Sequence, residues 1–150
     1  MNQIIVIPAR LKGTRLPGKP LMEILGKSII WRVWNQCKKV HPEEKIFIAT
    51  EDTEIEDHCK QYGINCIVTG KANTAIDRIK LFSDFVHADA YINVQGDEPI
   101  VNTQDILTVL KYNKVFPSRV VFGKTTANKT EFYDVSKAKV VCDLNGRLLY

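Results

Sequence analysis

Four consecutive apolar residues, Ile4-Ile5-Val6-Ile7, stop at Pro8, and comparable short runs recur at Lys45–Thr50, Asn65–Val68 and Ala90–Val94. A run this short, apolar throughout and rich in β-branched side chains, reads as a strand buried on both faces. Helical patterns lie between the runs. Ser28 suits the N-cap of a helix through about Val40, with Ile29, Ile30, Val33, Trp34 and Cys37 on one face. Asp52 or Thr53 opens a polar helix that stops near Tyr62, with Gly63 turning the chain after it. A third helix is expected from about Thr74 to His87, with Ile76, Ile79, Phe82, Phe85 and Val86 as its apolar set, and another over Thr103–Val115. This alternation predicts an α/β fold, a mostly parallel sheet with helices on both faces.

Further strands are expected at Arg119–Phe122 and Lys137–Cys142. Asn145-Gly146 reads as a two-residue hairpin turn, and Arg147–Tyr150 as the start of the return strand. A hairpin that stops there predicts that these 150 residues, one domain in size, are the N-terminal part of a longer protein or a natural fragment.

Hydrophobic residues make up 45% and charged residues 25%, which excludes disordered, collagenous and low-complexity architectures. No apolar run approaches the roughly 20 residues that cross a bilayer, and Ile4–Ile7 is too short for a signal-peptide core. The expectation is a cytoplasmic protein with no membrane partner. Cys37, Cys59, Cys66 and Cys142 form no C-x-x-C pair, and His41, His58 and His87 lack metal-site spacing, so reduced thiols are expected. Trp34 reads as core or interface, and Tyr133 and Tyr150 carry no assigned role.

The net charge is +4, and its location matters more than its size. Met1 to Met22 holds no acid but carries Arg10, Lys12, Arg15 and Lys19, which account for the whole surplus. A nucleic-acid surface would spread its cations along a stripe or helix. One short cationic segment points instead to a compact anionic ligand and to no nucleic-acid partner.

That segment, Pro8–Pro20, is a Gly- and Pro-rich loop. Gly13 to Lys19 satisfies the spacing G-x-x-x-x-G-K, but Pro20 stands where a P-loop needs Ser or Thr and removes a backbone donor. The phosphate chemistry remains. Gly13 and Gly18 admit close backbone approach, Arg10 and Arg15 offer forked hydrogen bonds, Lys19 a point charge and Thr14 a hydroxyl. On composition alone the same stretch also reads as a solvated basic loop whose Gly and Pro only make turns. A second unusual loop, the acidic Gln95-Gly96-Asp97-Glu98-Pro99, follows the run Ala90–Val94. In open parallel sheets, ligands bind beyond such carboxyl ends.

Pro8-Ala9-Arg10 followed by Gly13-Thr14-Arg15-Leu16-Pro17-Gly18-Lys19-Pro20-Leu21 resembles the signature loop of sugar nucleotidyltransferases. Asn93-Val94-Gln95-Gly96-Asp97-Glu98-Pro99, with the stretch from Lys137 to Tyr150, resembles the 3-deoxy-manno-octulosonate (Kdo) cytidylyltransferase family. The resemblance spans the chain, and the family is longer at its C-terminus. It implies a Rossmann-like nucleotide-diphospho-sugar transferase fold that is truncated here, with residues 1–150 as the nucleotide-binding portion. It implies transfer of CMP from CTP to Kdo or a related sugar acid, with release of pyrophosphate, for lipopolysaccharide.

The resemblance also implies roles. Arg10 and Lys19 contact phosphate, and Thr14 and Arg15 help close the loop. The backbone of Pro8 and Ala9, with the Gln95 side chain, frames cytosine, and Gly13 belongs to the same nucleotide cradle. Asp97 is the Mg²⁺ ligand, and Arg10, Lys19 and Asp97 are the catalytic set. The family commonly carries His-x-Ser-Gly-Thr-Asp/Glu-Arg where this chain has Ala72-Asn73-Thr74-Ala75-Ile76-Asp77-Arg78. Thr74 and Arg78 remain as nucleotide contacts, and the loss of a Gly and a hydroxyl leaves sugar identity open. Spore-coat-polysaccharide and acylneuraminate types are the neighbouring alternatives, and a non-catalytic nucleotide-binding fragment is a third. The family's later region supplies a second metal carboxylate, most sugar contacts and much of a homodimer interface. The 150 residues alone are therefore expected to bind CTP weakly and turn over little.

Overall fold

The computed structural model describes residues 1–13 and 16–150; Thr14 and Arg15, with the roles expected of them, lie outside the described residues. In chain order the elements are β1 (Gln3–Pro8), a hairpin of β2 (Glu23–Ile24) and β3 (Lys27–Ser28), α1 (Ile29–Lys38), β4 (Ile46–Thr50), α2 (Thr53–Gln61), β5 (Cys66–Val68), α3 (Ala75–Ser83), β6 (Ala90–Asn93), α4 (Thr103–Val115) and α5 (Lys129–Tyr133).

β1 is buried at every residue because it lies inside the sheet, whose order is β5-β4-β1-β6 with every pairing parallel. Alternate side chains serve opposite faces. Ile5 and Ile7 join Ile46, Ile48, Ile30, Val33, Ile55 and Leu110 in one core, beneath α1, α2 and α4. Ile4, Val6 and Ala49 meet Phe82 of α3 in the other. Phe82 packs at a tilt of 57° against Phe47, with 5.4 Å between ring centroids, and makes an edge-on contact with Tyr91 at 6.1 Å. Helices thus cover both faces, as the periodicity predicts.

Local signals set most of the helix ends. Ser28 Oγ accepts from Trp31 N and starts α1, whose buried face is Ile29, Ile30, Val33, Trp34 and Cys37, as expected. Gly63, at φ 66°, ends the α2 segment. α3 starts with a capping box between Thr74 and Asp77 but stops at Ser83, short of the expected His87. Tyr91 Oη accepts from Ala88 N and donates to Val86 O, so residues 86–88 leave the helix to enter β6. The expected apolar set of α3 splits accordingly. Phe82 is sealed, whereas Ile76 and Phe85 are exposed and the guanidinium-bearing Arg78 is buried in their stead.

The C-terminal expectations need larger corrections. Arg119–Phe122 and Lys137–Cys142 are not strands. Among the described residues Arg119–Phe122 has no neighbouring strand, and Lys137–Cys142 is bonded to the return segment only near its end, where Val141 N donates to Tyr150 O and Val141 O accepts from Leu149 N; a strand's hydrogen bonds lie outside itself. A single antiparallel bridge joins Cys142 to Leu148. Its connection is one residue longer than expected: Gly146 N donates to Asp143 O, Asp143 N donates to Arg147 O, and Gly146 takes φ 80°. That is a three-residue loop with glycine at the left-handed position.

From β1 the chain builds outward through β4 to β5, then crosses to place β6 on the other side of β1. The carboxyl ends of β1 and β6 are therefore neighbours at the point where strand order reverses, the ligand crevice of open α/β sheets.

Candidate active site

Two strand tips form the site. A Cβ built on Gly96 would stand 2.7 Å from Pro8 O and 3.4 Å from Ile7 Cγ2, so only glycine lets the turn after β6 lie against the end of β1. The loop after β1 is pinned at Leu11, whose N–H donates to Asp52 Oδ2 at 2.7 Å and whose carbonyl accepts from Gly18 N at 2.9 Å. Gly18, at φ 72°, leads into a single 3₁₀ turn over Lys19–Leu21 with Pro20 buried beneath it. That turn aims Lys19 across the crevice, where Nζ donates to Asp97 Oδ2 at 2.8 Å.

The crevice has a volume of about 530 Å³, within the range of small-molecule sites. Pro8, Ala9, Arg10, Gly13 and Lys19 line it from the first loop, Gln95 and Asp97 from the second, and Thr74 and Arg78 from α3. Every site residue expected from sequence, apart from Thr14 and Arg15, faces this one cavity.

The electrostatics divide into a fixed part and an exchangeable part. Arg78 is fixed. Its side chain is 3% exposed, Nη2 lies 3.2 Å from Glu51 Oε2, and Nη1 donates to Thr69 Oγ1 at 3.2 Å and Gly70 O at 3.1 Å. The guanidinium ties the tips of β4 and β5 to α3, and Arg78 contributes to the lining of the cavity. Thr74 spends its hydroxyl on Asp77, donating to Oδ2 and accepting from N, so what it presents to the cavity is the start of α3. Lys19 and Asp97 are exchangeable. Their side chains are 37% and 52% exposed, and an ion pair so open to water contributes at most about 1 kcal/mol. An anion and a cation can therefore take the two partners apart at small cost.

Asp97 is a carboxylate at a strand tip facing a cationic loop. Among the described residues no group of three or more His, Cys, Asp or Glu side chains converges on one point. One carboxylate oxygen suits a hard divalent ion that fills the rest of its shell with water and substrate phosphate, and Mg²⁺ behaves in that way. The donor set fits such an ion.

Sequence reasoning missed three contributors. Gly96 was read as part of a motif, and its contact with Pro8 O appears only once β1 and β6 are paired. Glu51 and Asp52 sit together at the tip of β4, one bound to Arg78 and one to Leu11. An acid pair ending a buried strand was the available signal. No helix of the described residues is long and apolar enough to cross a membrane.

The sequence matches a family described as cytidylyltransferase over residues 4–150. Curated relatives include the 3-deoxy-manno-octulosonate cytidylyltransferase of Koribacter versatilis, 37% identical over 100% of this chain and 58% of its own length. The enzyme of the same name from Escherichia coli is 35% identical over 98% of this chain and 61% of its own. The chain thus spans about three-fifths of these relatives' lengths. A solved structure of CMP:2-keto-3-deoxy-manno-octonic acid synthetase complexed with CTP superimposes with a TM-score of 0.90 at 31% identity, covering 100% of this chain and 63% of that one. A cytidylyltransferase from Leptospira borgpetersenii shares the fold at 24% identity, with a TM-score of 0.67 over 75% of this chain. A match that begins in β1 and runs to Tyr150 takes in both walls of the crevice, and the chain belongs to the cytidylyltransferase family.

Proposed function

We propose that residues 1–150 form the nucleotide-binding portion of a cytidylyltransferase that transfers CMP from CTP to a sugar acid, Kdo or a close relative, for lipopolysaccharide synthesis in the cytoplasm. The observation that carries this reading is the pairing of Lys19 with Asp97 across the crevice at the β1–β6 switch point. The relatives' names support cytosine and the sugar acid.

In this reading a sugar hydroxyl oxygen attacks the α-phosphorus, the bond from that phosphorus to the bridging oxygen breaks, pyrophosphate leaves with the electron pair, and the hydroxyl gives up its proton to solvent water. Such transfers depend mainly on in-line placement and charge neutralisation. Arg10 and Lys19 hold phosphate oxygens, and Thr14 and Arg15 close the loop over them. Gly13 lets the loop backbone approach. The backbone of Pro8 and Ala9 with the Gln95 side chain frames the base, while Thr74 and Arg78 complete the far wall. Asp97 would hold Mg²⁺, which supplies charge neutralisation at the triphosphate when bound. The homodimer expected of family members belongs to the same proposal.

Calorimetry tests it. The 150-residue chain should bind CTP with Mg²⁺ in preference to UTP and ATP. Lys19→Ala should weaken CTP about tenfold or more while barely affecting cytidine, because a charge-assisted contact to phosphate is lost. Asp97→Asn should remove the Mg²⁺ dependence of CTP binding. Equal losses for cytidine and CTP in Lys19→Ala would overturn the phosphate role.

A further inference from the structure

Asp52 stands at the N-cap of α2, where an aspartate usually accepts a hydrogen bond from the first turn of its own helix. It makes no such bond. Its own N–H donates to Thr50 Oγ1 at 3.1 Å, which anchors the residue to the last position of β4. Its carboxylate is turned toward the loop after β1 and accepts from Leu11 N at 2.7 Å. Leu11 O in turn accepts from Gly18 N at 2.9 Å, so one residue is held at both of its polar backbone atoms. The clamp sits at the neck of the loop, between Arg10 on one side and Lys19 on the other.

Charge makes this arrangement informative. A carboxylate beside an anion-binding loop repels the ligand. A helix left without its cap also loses a favourable interaction. Both costs fall on Asp52, and the return is a charge-assisted bond, about twice as strong as a neutral one, that fixes where the loop leaves the sheet. We infer that Asp52 is a positioning residue that gives up its own helix cap to hold the neck of the cationic loop, so that Arg10 and Lys19 face Asp97. The identity of the anion rests on the CTP reading above, whereas the clamp itself does not.

Two substitutions separate clamp from cap. Serine is as good an N-cap as aspartate, but its hydroxyl is one bond shorter and falls short of Leu11 N. Asparagine keeps an acceptor oxygen at the same reach. In the ligand-free 150-residue chain, Asp52→Ser should speed exchange of the Leu11 amide by about tenfold or more, read by NMR, while α2 amides stay protected and the unfolding midpoint holds. CTP affinity with Mg²⁺ should fall by about the same factor, with cytidine affinity nearly unchanged. Asp52→Asn, which keeps the acceptor without the charge, should recover part of both, falling between wild type and Asp52→Ser. Unchanged Leu11 exchange in Asp52→Ser, or wild-type CTP affinity in that variant, would overturn the inference. If the wild-type chain binds no CTP, the nucleotide reading fails separately, and the exchange measurement still decides whether Asp52 holds the loop.

Discussion

In residues 1–116, Phe82, Ile5, Ile7, Ile30 and Ile48 are sealed in cores on either face of the sheet. In residues 117–150, Val120, Val135, Leu144 and Tyr150 stand almost fully in solvent. Both regions carry strand-like apolar runs, so hydrophobicity does not separate them. What separates them is a partner. Ile4–Ile7 finds β4 on one side and β6 on the other, whereas Arg119–Phe122 has no strand beside it among the described residues. A helix closes its own hydrogen bonds, and a strand borrows them from elsewhere in the chain.

The largest test of that contrast is a pair of truncations. Phe82→Ala should cost about 3–5 kcal/mol in urea unfolding, since it empties the contact between α3, Phe47 and Tyr91. Leu144→Ala should change stability by less than about 0.5 kcal/mol. Comparable losses would mean that the C-terminal segment belongs to the same cooperative core.

The two regions also hold their charges differently. Glu51→Ala leaves the buried Arg78 guanidinium without its carboxylate and should cost about 2–3 kcal/mol, below the full value for a sealed pair because Glu51 keeps some solvent contact. The Lys137–Glu131 pair is largely exposed, so Lys137→Ala should leave the urea midpoint where it is. A clear shift there would erase the distinction.

Thiol chemistry probes the contrast without altering stability. Burial pushes the Cys37 thiol up to about 12. Cys59 donates a hydrogen bond to Cys66, which together with burial raises Cys59, and the same bond lowers Cys66. Cys66 and Cys142 are half-exposed, while Cys37 and Cys59 are buried. Timed alkylation at about pH 8 should therefore label Cys142 and Cys66 first in the native chain and all four at similar rates in urea. Native labelling of Cys37 as fast as Cys142 would contradict its place in the core.

Much of the site was legible because its chemistry is contiguous. The cations Arg10, Lys12 and Lys19 and the acid Asp97 lie in two short strings, each at the end of a recognisable strand. Arg78 was read only as a helix residue facing nucleotide; its burial against Glu51 depends on how α3 packs over β4 and β5. Glu51 and Asp52 went unread as site residues for the same reason, since their partners lie 27 and 41 positions away in the chain.

The sequence by itself determined the elements that satisfy themselves locally: the buried run of β1, the Ser28 cap and apolar face of α1, the limits of α4, and the cationic and acidic loops. Tertiary structure alone decided which strand lies beside which. That choice placed Gly96 against Pro8, brought Lys19 within 2.8 Å of Asp97, and drew the Asp52 carboxylate away from its helix to Leu11. Helix periodicity and capping are short-range, so they can be read from neighbouring residues. Strand order and the contacts it creates join residues far apart in the chain, and they exist only once the sheet has closed around β1.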